Sequence, residues 1–271
     1  MKYKVSITLL LLFSLLIFLS STPNYSSVRS SRSVYKLVWT EDFNSTQLDT
    51  TVWTRIRRGS GDWDRHMSFS EDLCEIENGK LILWGKMNDY IPNDTSRYVT
   101  GGVWTYHKKG FKNGRLEIRA KVPNAQGAWP AIWLMPNETT YNWPYKGEID
   151  IMEHYYHDRF VLQTLHSGYI DIQGNQNKPK FQVKPRIKNN SWNIYAVDFD
   201  TEVIRLYVNG RLTLEYPNLT DLYGEDQFPY GREQHLILSM QMYARWAGKV
   251  APKEFPAKME IDWVKFYEKV E

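Results

Sequence analysis

An all-β sandwich or barrel is the fold class this chain predicts, and three observations predict it. Apolar and polar residues alternate with period two in several separate stretches, the pattern of half-buried strands. No stretch sustains a helical period. Asn-Gly pairs stand before or between alternating runs, where a two-residue hairpin turn needs residues that tolerate positive φ.

In chain order, the N-terminus comes first. Lys2 and Lys4 precede an almost unbroken apolar run, Val5 to Leu19, and Ser20, Ser21 and a polar Ser-rich stretch follow. This pattern predicts a secretory signal peptide over residues 1–21 and a disordered linker over 22–33. An uncleaved anchor is the alternative, but the run is short for a spanning helix. The expected product is an exported monomer, secreted, periplasmic or at the cell surface, with no membrane contact after cleavage. The lone Cys74 can form no internal disulfide and reads as a small buried hydrophobe.

From Tyr35 to Tyr267 the composition does not break, so 34–271 reads as one domain. Lys80–Trp84 reads as a strand entered through Asn78-Gly79. In Gly114–Lys121, Leu116, Ile118 and Ala120 alternate with charged residues. In Glu202–Tyr216, Ile204, Leu206 and Val208 lead into Asn209-Gly210, and Leu212 and Leu214 leave it, which predicts a hairpin. His235–Met242 and Met259–Glu268 read as two further strands. Many short strands separated by turn signals belong to sandwiches and barrels.

The net charge is +3 and the basic residues form no block, which argues against a nucleic-acid partner. The chain carries 11 Trp and 18 Tyr. Core packing accounts for roughly half of the Trp. A flat indole stacks well on the apolar face of a pyranose, so the surplus points to sugar binding.

Three acids, Glu148, Asp150 and Glu153, fall within one apolar, strand-like segment. Side chains alternate faces along a strand, so Glu148 and Asp150 share a face and Glu153 points the other way. A one-residue β-bulge near Ile151-Met152 would return Glu153 to that face. Three carboxylates on one face repel, so at least one pKa should rise, leaving an acid beside a base. Retaining glycoside hydrolysis needs such a pair, about 5–5.5 Å apart. A solvated acidic patch and a hard-metal site for Ca²⁺ or Mg²⁺ remain the rivals at this point. The apolar flanks Ile149, Ile151 and Met152 argue against the patch, because acids on a buried strand need a reason.

The segment Gly147-Glu148-Ile149-Asp150-Ile151-Met152-Glu153-His154 resembles the signature of glycoside hydrolase family 16 in its bulged form. Gly114–Pro123, Gly127–Pro136, Leu37–Phe43 and Met259–Tyr267 are also similar to that family and in its order, so the resemblance spans about 35–268. It implies a β-jelly roll of two curved antiparallel sheets with the glycan across the concave one. It implies Glu148 as nucleophile, Glu153 as acid/base and Asp150 as the helper between them. Trp129, Trp133 and Trp143 match tryptophans near the family's cleft, Trp143 being the one favoured for stacking beside the cleavage point. On a regular strand Trp129 and Trp133 share a face, so both line the cleft or both enter the core. His166 resembles a histidine on the neighbouring strand that faces the carboxylates. Catalysis needs no cofactor, but many members hold a structural Ca²⁺ away from the cleft, and Asp262 is the matching side chain, with Glu41 or Asp42 nearby.

Two loops depart from the laminarin-cleaving pattern. An Asn-Asn-Glu run after a tryptophan is replaced by Asp62-Trp63-Asp64-Arg65-His66-Met67-Ser68. A Gly-Gly-Asn-Trp-Pro-Gly loop is replaced by Tyr243-Ala244-Arg245-Trp246-Ala247-Gly248. The changes look more like members that cut galactose-containing glycans, including mucin or keratan-type chains. They bring Arg65 and Arg245 toward the cleft rim, where a guanidinium could fork onto hydroxyls or a sulfate, beside Trp63 and Trp246. The expectation is therefore a retaining endo-β-glycanase acting on a galactose-containing polysaccharide or glycan. An endo-β-1,3-glucanase is the alternative substrate reading, and a non-catalytic glycan-binding jelly roll is the alternative class. A lectin would have no use for all three acids.

Overall fold

Alternation makes the strands. In Gly114–Lys121 the side chains of Leu116, Ile118 and Ala120 are fully buried, and Arg115, Glu117, Arg119 and Lys121 stay half-exposed. The computed structural model describes residues 34–89, 91, 94–138, 140–244 and 246–270, which fall in one compact unit. The expected signal peptide and linker, and Arg245, lie outside the described residues.

The strands run β1 Val34–Glu41, β2 Thr54–Arg55, β3 Cys74–Ile76, β4 Leu81–Met87, β5 Tyr98–Thr100, β6 Gly102–Trp104, β7 Gly114–Lys121 and β8 Ala128–Pro136. They continue β9 Glu148–Glu153, β10 Leu162–His166, β11 Gln182–Val183, β12 Asn193–Phe199, β13 Val203–Val208, β14 Arg211–Pro217, β15 Gln234–Met242 and β16 Ala257–Val270. One antiparallel sheet has the order β14-β13-β12-β7-β16-β4-β3, with β1 added on β16 and β5 on β4. The other has the order β11-β10-β9-β8-β15-β6-β2. This is the expected two-sheet jelly-roll sandwich.

Each strand read from alternation is present. The Asn209-Gly210 turn joins β13 and β14 with φ of 51° and 77°, the double positive φ of the tight hairpin turn. Cys74 is buried between the sheets, and burial pushes its thiol up to about 12. It is the inert hydrophobe expected.

The core fills the space between the sheets. β8 gives it Ala128, Ile132 and Leu134, β15 gives Leu236, Leu238 and Met240, and β9 gives Ile149, Ile151 and Met152. The other face of the seven-stranded sheet is nearly as dry. Trp129, Ala131, Trp133 and Ile237 pack there in two smaller clusters with Trp63, Trp104 and Tyr155. That second apolar face is the floor of a cleft. The outer face of the larger sheet is instead charged and paired: Arg115 with Glu117 and Asp198, Arg119 with Asp262, Lys121 with Glu260.

Candidate active site

The acids sit where β9 breaks its register. Against β8, Trp133 pairs with Asp150 and Ile132 with Met152, so Ile151 has no partner. Against β10, one residue separates Leu162 from Thr164 while two separate their partners Glu153 and Asp150. The extra residue is the expected bulge. It sends both Ile151 and Met152 into the core and returns Glu153 to the face of Glu148 and Asp150. The carbonyl freed by the bulge is satisfied from the core side: Gln163 Nε2 donates to Ile151 O at 2.9 Å. Thr213, from the other sheet, donates to Gln163 Oε1. Sequence reading missed Gln163. A Gln on the core face of an alternating strand is the signal that could have found it.

Tryptophans grip the two ends of the acid row. Trp129 Nε1 and the Tyr155 hydroxyl both donate to Glu153 Oε1 at 2.8 Å. Trp143 Nε1 donates to Glu148 Oε2 at 2.8 Å. Trp129 and Trp133 are 6% and 5% exposed, yet both line the cleft, so they are wall and floor at once. Trp143 is 52% exposed, with open ring surface for a ligand. Trp246 meets Trp129 edge-on, and Trp63 meets Trp133 edge-on. These residues enclose a cleft of about 760 Å³ with the three acids on its wall. Tyr155 was not singled out in the sequence, although it stands two residues after Glu153.

His166, on β10, lies directly opposite Glu148 on β9. Its Nε2 is 3.3 Å from Asp150 Oδ2 and its Nδ1 is 2.9 Å from Asp171 Oδ1. Asp171, on the helical turn Gly168–Ile172, is anchored in turn by the Ser167 N–H at 2.9 Å. Burial works against charge on His166, but bonds to the two aspartates outweigh it and hold the ring protonated well above the usual histidine range. The row Asp171–His166–Asp150–Glu148 is therefore one network, and Asp171 is a member the sequence did not disclose.

Burial raises all three acids above the usual carboxylate range, with the Asp150 charge adding to Glu148 and the Glu153 charge adding to Asp150. Glu148 and Asp150 hydrogen-bond one another, so they hold one proton between them. On Glu153, the donors Tyr155 and Trp129 work against the burial.

The remaining candidates divide. Asp62 and Trp63 line the cleft. Arg65, expected at the rim, is not among the residues that line the cleft, and it pairs with Asp62, which is. Asp262 lies on β16, in the opposite sheet, and pairs with Arg119. Glu41 gives one oxygen to the Phe43 N–H and the other to Trp53 Nε1, and Asp42 accepts from the Asn44 N–H. Glu41 and Asp262 thus have protein partners, and Asp42 carries a single backbone N–H bond. Glu148, Asp150 and His166 lie close enough to share an ion.

Residues 64–265 match the family model described as glycosyl hydrolases family 16. The chain is 31% identical over 253 residues to a keratan-sulfate endo-1,4-beta-galactosidase of Sphingobacterium multivorum, covering 92% of this chain and 58% of that relative's length. It is 34% identical over 257 residues to a beta-glucanase of Rhodothermus marinus, covering 88% of this chain and 86% of that protein. The X-ray structure of the laminarinase from Rhodothermus marinus superposes with a TM-score of 0.79 at 28% identity, over 89% of this chain and all (100%) of the other.

Proposed function

The chain belongs to glycosyl hydrolases family 16, endo-acting β-glycanases of retaining mechanism, and from that premise we propose that it is exported and cuts a galactose-containing glycan through Glu148 and Glu153. One observation carries the roles: the bulge that gathers Glu148, Asp150 and Glu153 on a single wall of a tryptophan-lined cleft.

The proton shared by Glu148 and Asp150 makes the first step possible. With that proton on Asp150, the Glu148 carboxylate is an anion that accepts the Trp143 N–H and the Asp150 O–H. It attacks the anomeric carbon and forms a glycosyl ester. Burial raises Glu153 and so favours its protonated form, which gives its proton to the departing glycosidic oxygen. Both protein donors use Glu153 Oε1, leaving Oε2 to face the glycan. In the second step ionised Glu153 takes a proton from water, the water oxygen bonds to the anomeric carbon, and the ester to Glu148 breaks. His166, held as a cation beside Asp150, offsets the negative charge of the Glu148–Asp150 pair.

The galactose reading is supported by the keratan-cleaving relative and by the loss of the laminarinase amides around Asp62 and Trp63. The Rhodothermus likeness favours a β-1,3-glucan instead. A screen of the purified protein on laminarin, mixed-linkage glucan, agar, keratan and mucin O-glycans, with product sizing, separates them. Oligosaccharides from keratan or mucin chains are expected, and cleavage of laminarin alone overturns the galactose reading. Glu148→Gln and Glu153→Gln should each lose nearly all turnover. Proton NMR should show first products that retain anomeric configuration.

A further inference from the structure

We propose that Lys146 forms a subsite for an anionic substituent of the glycan, a sulfate ester or a carboxylate; this rests on the same cleft being the glycanase site. Lys146 lines the cleft with Glu148, Trp143, Trp133 and Met135, and it is half-buried. Its ammonium has no hydrogen-bond or ion-pair partner among the described residues. Asp62 in the cleft is neutralised by Arg65, and the His166 ring is held between two aspartates. Among the described residues, Lys146 is thus the uncommitted cation of the wall.

Its position is fixed. The Lys146 N–H donates to Asn142 O at 3.2 Å, and the Gly147 N–H donates to Pro144 O at 3.0 Å. Gly147 adopts φ +82°, and a Cβ there would stand 2.9 Å from Pro229 Cγ and 3.1 Å from Tyr230 Cδ1. The turn is pressed onto the Pro229-Tyr230 segment, so Lys146 is presented to the cleft two residues before Glu148.

Charge explains what such a lysine is for. Of the acids that line the cleft, the Glu148–Asp150 pair carries the negative charge that repels an anionic sugar. An ammonium is a compact, strongly hydrated charge with three donors, and partial burial without an acceptor is unfavourable to it. Burial indeed pulls Lys146 below the usual lysine range, against the opposing charge of Glu148. An arriving sulfate or carboxylate oxygen supplies the missing acceptor through a charge-assisted bond. A neutral hydroxyl supplies less.

The test measures kcat/KM on matched pairs: keratan sulfate and desulfated keratan, sialylated and desialylated mucin O-glycans, sulfated laminarin and laminarin. The wild type should prefer the charged member of a pair by about tenfold or more, the worth of one charge-assisted bond. Lys146→Met should bring that ratio to about one, and Lys146→Arg should keep most of it. The sulfate pairs and the sialylated pair tell the two anions apart. A wild-type ratio at or below one in every pair, or an unchanged ratio in Lys146→Met, overturns the subsite. Equal losses on both members would show that Lys146 serves Glu148 alone, which also overturns it. The galactose reading fails separately, if only the laminarin pair is cut, and the ratio within that pair still judges Lys146.

Discussion

Tyr155→Phe should move the basic limb of the pH profile upward. The limb belongs to Glu153, which must be protonated to expel the leaving group. Burial raises its pKa, and the Tyr155 hydroxyl and Trp129 indole lower it by donating to Oε1, each at 2.8 Å. Both bonds stabilise the anion. A hydrogen bond to a charged acceptor is worth about 1.5–3 kcal/mol. One pKa unit is about 1.4 kcal/mol, so losing the hydroxyl should raise Glu153 by about one to two units. The cleft is open to water that can replace part of the bond, so about one unit is expected. The assay is kcat/KM from pH 4 to 10 for wild type and Tyr155→Phe, because that ratio reports the free enzyme, whose geometry is described above. Trp129→Phe should shift the limb in the same direction. A limb that stays in place or moves down would refute the reasoning, since it would mean the two donors do not bear on the titrating proton.

Asp171→Asn should shift the acid limb upward. The imidazolium lowers Glu148 and Asp150, and loss of one aspartate partner weakens its charge, so the shared carboxyl proton is held to higher pH; an unmoved acid limb counts against the network. Gln163→Leu leaves Ile151 O buried without its donor and should cost about 1–3 kcal/mol in urea unfolding while lowering kcat. Unchanged stability and turnover would mean the bulge holds without Gln163. Glu148→Gln should melt higher than wild type near pH 8. The folded pKa of Glu148 lies above its unfolded value, so wild-type stability is fullest below the ordinary carboxylate range and declines as pH rises through the folded value. Each kcal/mol gained should appear as about 2–4 °C, and the gap should close toward pH 4. A gap independent of pH would refute the linkage.

Much of this was legible in one dimension. The strand β7, the Asn209-Gly210 hairpin and the buried Cys74 follow from local rules: period-two alternation, positive φ and thiol hydrophobicity. The bulge was legible too, because the odd spacing of Asp150 and Glu153 conflicts with a regular strand and the apolar Ile151-Met152 pair says where the register breaks. Tyr155, Asp171, Lys146 and Gln163 were not legible. Tyr155 and Lys146 stand only two residues from a catalytic acid, yet a loop residue's direction depends on the turn that carries it. Asp171 reaches His166 only because a helical turn folds back over the end of β10. Arg65 shows the converse, since nothing local says that its charge goes to Asp62.

The sequence by itself determined the chemistry: three acids on one short strand, with the odd spacing that forces a bulge, because side-chain direction along a strand is a local property. Only the tertiary structure decided how those acids are tuned. The donors on Glu153 come from Trp129 and Tyr155, the cation beside Asp150 comes from the neighbouring β10, and the support for the bulge reaches across from the opposite sheet. A pKa is set by what surrounds a group in three dimensions, and packing assembles those surroundings from residues far apart in the chain.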